Sequence, residues 1–216
     1  MDSPAALSLI VPLPRPVRGG AARVRVGGSE LVLEHARGCH SLLWSDGREA
    51  RRYVLGLDAR GRLTLELRAP RLPLRVVPRE AWEIVPAARL RGYLTAPLVP
   101  PIVWRAGGGT PKTLVELHPR GLAGAFHERD GHAFRCAVTW LSRFPVRTGE
   151  PQVVVPLRLY NRTRAPICPG ELAIELDDAH LVPLRGAIVV RPQRIALADD
   201  AANAPTAPDP LAMGEA

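Results

Sequence analysis

The stretch "HERDGHAFRC", residues 127–136, decides how this chain is read. Two histidines, four charged side chains besides them and a cysteine within ten residues could be a metal site. They could equally be the tip and return strand of a hairpin. Arg129-Asp130-Gly131 is turn chemistry, because Asp tolerates the left-handed backbone region and Gly adopts it freely. The sequence that follows, "HAFRCAVTW", alternates. Phe134, Cys136, Val138 and Trp140 fall on one face, with Arg135, Ala137 and Thr139 on the other. Period-two alternation is a strand signal. Zinc needs three or four ligands converging tetrahedrally. His127, His132 and Cys136 could supply three only if the strands curl, and their spacing fits no common zinc pattern. The hairpin reading is therefore adopted, with metal ligation by His127, His132 and Cys136 as the alternative and no cofactor expected.

The same texture extends outward in both directions. "ARVRVGGSELVLE" reads as strand, Gly-Gly turn, strand, and "HSLLWSDGREARRYVLGL" places Asp46-Gly47 between two apolar runs. "LDARGRLTLELRAP" sets Leu63, Leu65 and Leu67 on one face. Pro occurs 23 times, through most of the chain, and Pro breaks helices while tolerating turns and sheet edges. Strands about every ten residues, separated by turns, predict an all-β, antiparallel, sandwich-like fold. Two packed β subdomains are a variant of that reading. The expected division is 1–75 for N-terminal hairpins, 76–197 for a sandwich-like region and 198–216 for a disordered Ala/Pro/Asp tail. That tail has almost no bulky apolar side chain to offset its ordering entropy.

Charge is uneven. The last 19 residues hold four of the 21 acids and none of the 29 bases, so the preceding body carries +12. Lys112 is the only lysine. A basic body suits phosphates or acidic partners, although scattered arginines also simply solvate strand faces. Arg51, Arg52, Arg60 and Arg62, near Trp44 and Tyr53, form a candidate nucleic-acid site of the kind that mixes basic groups with aromatics. This alternative is not favoured, since both aromatics fit apolar strand faces.

Other chemistry is absent or incomplete. "RAGGGTPKT" lacks the Gly before Lys and the following helix that a phosphate loop requires. No Gly-x-Ser-x-Gly elbow occurs. Asn161 in "NRT" is expected to be a left-handed turn residue and not a glycosylation acceptor. Cys39, Cys136 and Cys168 are odd in number and far apart, which argues against a disulfide framework. "MDSPAALSLIVPLPRP" has no basic leader and its apolar run is broken by Pro, so neither a signal peptide nor a membrane span is expected, and the location expected is cytoplasmic.

From residue 72 onward the chain resembles the uncharacterised prokaryotic domain-of-unknown-function family DUF432. "LRVVPREAWEIVPAARLRGYLTAPLV", "FHERDGHAFRCA" and "VVVPLRLYNRTRAPICPGELAIEL" carry the resemblance, and "ELVLEHARGCHSLLW" is compatible with it. Where the family has Trp-Phe-Gly before the charged loop, this chain has Ala125-Phe126-His127. The resemblance implies a β fold and no established activity. The expected role is a non-enzymatic binding or accessory module. Its expected partner is an unknown protein, with self-association through a sheet edge a further option. A metal-dependent or phosphate-handling enzyme and a weak nucleic-acid binder are the alternatives.

Overall fold

A computed structural model describes residues 9–56, 60–107, 109–118, 122–128, 131–145, 151–184, 186–198 and 205–206. Among them the chain is nearly all strand, with one 3-10 turn at Asp178–His180. In chain order the strands are β1 (Ile10–Pro12), β2 (Ala21–Val26), β3 (Ser29–Ala36), β4 (Cys39–Ser45), β5 (Ala50–Gly56) and β6 (Arg62–Glu66). Then follow β7 (Leu74–Pro78), β8 (Arg89–Pro97), β9 (Pro101–Arg105), β10 (Lys112–Glu116), β11 (Leu122–Glu128) and β12 (Gly131–Val138). The last are β13 (Gln152–Asn161), β14 (Leu172–Ile174), β15 (Val182–Leu184), β16 (Ala187–Val189), β17 (Gln193–Leu197) and β18 (Pro205–Thr206). The reading of 198–216 as a tail lies outside the described residues, except for residue 198 and the two-residue β18, which pairs with β17.

The chain forms two compact units. The first is Ser8–Arg68 with Leu98–Arg120, and the second is Ala69–Pro97 and Gly121–Ala216 with Met1–Leu7. A single cut at residue 75 therefore differs from the observed grouping, because 98–120 returns to the first unit. The reason is strand pairing: β9 lies beside β6, with Leu63 opposite Trp104 and Leu65 opposite Ile102. The fit is close. A Cβ on Gly61 would come 1.9 Å from the Trp104 ring, so this position excludes side chains.

The first unit is a sandwich of two four-stranded antiparallel sheets, β1-β6-β9-β10 and β2-β3-β4-β5. Its core joins Leu31, Leu33, Leu42 and Trp44 of one sheet to Leu63, Leu65 and Ile102 of the other. The alternation read from sequence is the packing: Val24 and Val26 face this core, and Arg23 and Arg25 face water. β3 and β4 join through Arg37 and Gly38, at φ 52° and 77°. Two positive φ values in a two-residue hairpin match the right-handed strand twist.

The second unit holds a four-stranded sheet, β11-β12-β7-β14, and a six-stranded one centred on β13. Antiparallel hairpins do not account for all of it. β12 runs parallel to β7, and β13 runs parallel to β16 and β17. Parallel neighbours need long connections, so local turn signals cannot reveal them. "HERDGHAFRC" forms the β11–β12 hairpin, with Glu128 opposite Gly131 and His127 opposite His132.

Among the described residues of the first unit, one carboxylate, Glu66, is buried. The Glu66 side chain is 7% exposed and binds both Arg105 and Arg68, which are 41% and 42% exposed. Burial alone pushes this carboxyl up, but hydrogen bonds and charge from Arg105 and Arg68 outweigh it and hold it below its ordinary value. A lowered folded value means that this stabilisation is complete above the unfolded carboxyl range, near about pH 4.3, and is lost as pH falls through the folded value. Glu66→Gln should therefore cost about 1.5–3 kcal/mol at pH 7, the worth of hydrogen bonds to charged groups. Denaturant melts should show that cost shrinking toward pH 3, and a cost independent of pH would disprove the pairing as its source.

Candidate functional site

The residues singled out from sequence do not converge. Cys136 is buried on β12, and burial pushes its thiol up to about 11, which suits an apolar filler and not a thiolate ligand. The His127 and His132 side chains lie outside the described residues, although their backbones pair across the hairpin. At the β3–β4 hairpin, the His35 and His40 rings stack with centroids 4.0 Å apart. Burial first, then His35 and Arg15, lower the His40 pKa, and Arg15 Nη2 stands 3.4 Å from His40 Nε2. Alternation along β4 buries His40 and leaves its neighbour Cys39 half-buried. Among the described residues no three His, Cys, Asp or Glu side chains gather as a metal site.

The arginine candidates are also dispersed. Arg51 pairs with Glu49 at 3.0 Å, and Arg52 pairs with Glu34. Both lie at β5, whereas Arg62 is on β6, in the opposite sheet, with Arg60 just before it. Trp44 is core, and its indole N–H donates to Ser29 Oγ at 3.2 Å. Tyr53 packs against the same core. Neither aromatic is a surface platform.

A different cluster emerges in the second unit. β13 pairs along its length with β8 on one side, and with β16 and then β17 on the other. Val153, Val155, Leu157 and Leu159 point inward and are buried. The alternate positions Arg158 and Tyr160 must then point outward. Register does the rest. Arg158 stands opposite Arg91 of β8 and opposite Arg194 of β17. One step along, Tyr160 stands between Arg89 and Ala196. Neighbouring strands lie about 4.8 Å apart, so the three-arginine row spans about 10 Å.

These rows floor an open groove of about 730 Å³, which Arg162 also lines. No Asp or Glu is among its described lining residues. The Arg89 guanidinium sits over the Tyr160 ring, 5.7 Å from its centroid. Ala87 at the rim holds φ 58°, a strained value for a residue with a Cβ. Its N–H donates to the Asn161 carbonyl at 3.1 Å, which fixes it there.

Asn161 anchors this end of the site, and not as a left-handed turn residue: its φ is not positive. It is 2% exposed. Its Nδ2 donates to the carbonyls of Ile84 (2.7 Å) and Ala165 (2.9 Å), and its Oδ1 accepts from the Thr163 N–H at 2.8 Å. A buried amide so fully bonded is a structural clamp and offers no acceptor for a glycan.

Sequence reading missed the groove because its arginines come from three distant segments. The two local traces were Arg-x-Arg at 89–91 and the alternation Arg158-Leu159-Tyr160. No family model, curated protein or solved structure matches this chain. What fold and site define is thus an all-β chain of two units, one of them carrying an arginine-lined sheet face. Among the described residues no helix is long and apolar enough to cross a membrane.

Two outcomes follow from these placements. Like charges directly opposite one another destabilise a sheet. Arg91→Thr, which removes one and adds a good strand former, should therefore raise stability by about 0.2–1 kcal/mol, read from thermal melts at low salt. A clear loss would show that the row is held by something other than tolerated repulsion. Cys136→Ser should cost roughly 1–3 kcal/mol, since it places a hydroxyl in an apolar layer. An unchanged melting temperature would place the β12 faces the other way round.

Proposed function

We propose that this chain is a non-enzymatic binding module that docks an anionic partner in the arginine-lined groove of β8, β13 and β17. The observation that carries the reading is the row Arg91–Arg158–Arg194, in register across three adjacent strands. Like charges set opposite one another are unusual in a sheet, and three guanidinium groups in one line offer an anion paired N–H donors. Sites that break a local rule in this way are where function is expected.

Chemistry in the groove favours binding over catalysis. Its described lining contains no His, Cys, Ser, Asp or Glu to serve as nucleophile or proton carrier. The Thr163 hydroxyl is engaged, 2.7 Å from both Asn161 Oδ1 and the Ala165 carbonyl. Guanidinium groups, by contrast, recognise planar oxyanions through paired N–H donors. This reading puts an anionic partner on a sheet face; an unknown protein partner is the expectation from sequence.

Heparin chromatography of the full chain tests this. The triple variant Arg91→Gln, Arg158→Gln, Arg194→Gln should elute at clearly lower salt than the wild type. A second triple variant, Arg18→Gln, Arg23→Gln, Arg25→Gln, removes the same net charge elsewhere and should shift elution far less. Equal shifts would mean that net charge alone acts, and the groove reading would fail.

A further inference from the structure

The anion-binding reading leaves the chemistry of the ligand open, and the row next to the arginines narrows it. Tyr160 lies one outward position from Arg158, a step of about 6.6 Å along the strand. On the β8 side its ring carries the Arg89 guanidinium, 5.7 Å from the centroid. On the β17 side its register neighbour is Ala196, whose side chain is a single methyl. The ring thus carries a cation on one side and has a small register neighbour on the other, and Tyr160 and Ala196 both line the groove. A carboxylate chain has no use for an aromatic face. A ligand with an anionic backbone and flat bases uses both rows at once: phosphates on Arg91–Arg158–Arg194 and a base against Tyr160. Sheet faces that combine basic groups with an aromatic platform hold single strands this way, since every base offers a π-face. Paired bases inside a duplex are stacked on each other and cannot reach the ring.

Resting on the reading of the groove as an anion site, we infer that its ligand is a single-stranded nucleic acid, with its backbone crossing β8, β13 and β17 along the arginine row and a base stacked on Tyr160.

Titration of the full chain with a fluorescent oligothymidylate of about 12 nucleotides tests this, with heparin and polyglutamate as anions that lack bases. Tyr160→Ala should weaken oligothymidylate binding about tenfold and leave heparin binding unchanged, and Tyr160→Phe should restore it. The salt dependence should be the same in Tyr160→Ala and wild type, because no cation is lost. Arg91→Gln should weaken both oligothymidylate and heparin, and should flatten the slope of log affinity against log salt by about 0.7. A duplex of the same length should bind more weakly than the single strand. If Tyr160→Ala changes oligothymidylate affinity by less than about twofold, no base stacks there and the inference fails. It fails equally if polyglutamate of matched charge, or the duplex, binds as tightly as the single strand; an acidic protein segment or duplex backbone would then be the occupant. In those cases the anion-binding groove still stands. If Arg91→Gln alters neither ligand, both readings fall together. Thermal melts of each variant separate lost binding from lost folding, and Tyr160→Phe, which keeps the ring and its packing, provides the folded control.

Discussion

The second unit depends on the pairing of β13 along both of its sides. Gln152 to Tyr160 pair with β8 across one edge, and Val153, Val154 and Leu157 to Asn161 pair with β16 and β17 across the other. Burial of Val153, Val155, Leu157 and Leu159 sets which face looks inward. A slip of one residue would send those four side chains outward and bring Arg158 and Tyr160 into the core, a cost no surface interaction could offset. The inner face therefore fixes the outer one. The arginine row exists because packing on the opposite side of the sheet leaves it nowhere else to go.

The end of β13 is held as firmly as its middle. Asn161 bonds through both its backbone and its side chain, to Ile84, Ala87, Ala88, Thr163 and Ala165. Each polar group of the buried amide has a partner, which is what permits it to be buried. The clamp sets the loop carrying Ala87 against the start of β8, at the rim of the groove. Arg89 and Arg91 emerge directly beyond it. The first unit handles charge in the opposite way. There Glu66 is taken out of water and matched by two arginines whose guanidinium groups still reach solvent, so that the carboxylate is compensated while the cations avoid most of the desolvation cost. Both units thus place arginines beside one another in register, Arg62 with Arg105 and Arg91 with Arg158. In the first, Arg105 is joined to the buried Glu66.

The sequence by itself determined the secondary structure and much of its facing. Leu63, Leu65, Val24, Val26, Cys136 and Val138 lie on the sides that alternation assigned, because a strand has a strict period of two and apolar side chains must leave water. The hairpin at 127–136 was legible for the same reason: turn chemistry and alternation are local properties. Tertiary structure alone decided the rest. Which strands lie side by side is set by contacts between residues far apart in the chain. So the return of 98–120 to the first unit, the parallel entry of β7, β16 and β17, and the meeting of Arg91, Arg158 and Arg194 leave no local signal. Arg51 and Arg62, close in sequence, fell in opposite sheets, while Arg91 and Arg158, far apart, became neighbours across one ladder. Periodicity says which way a side chain points; only register says what it points beside.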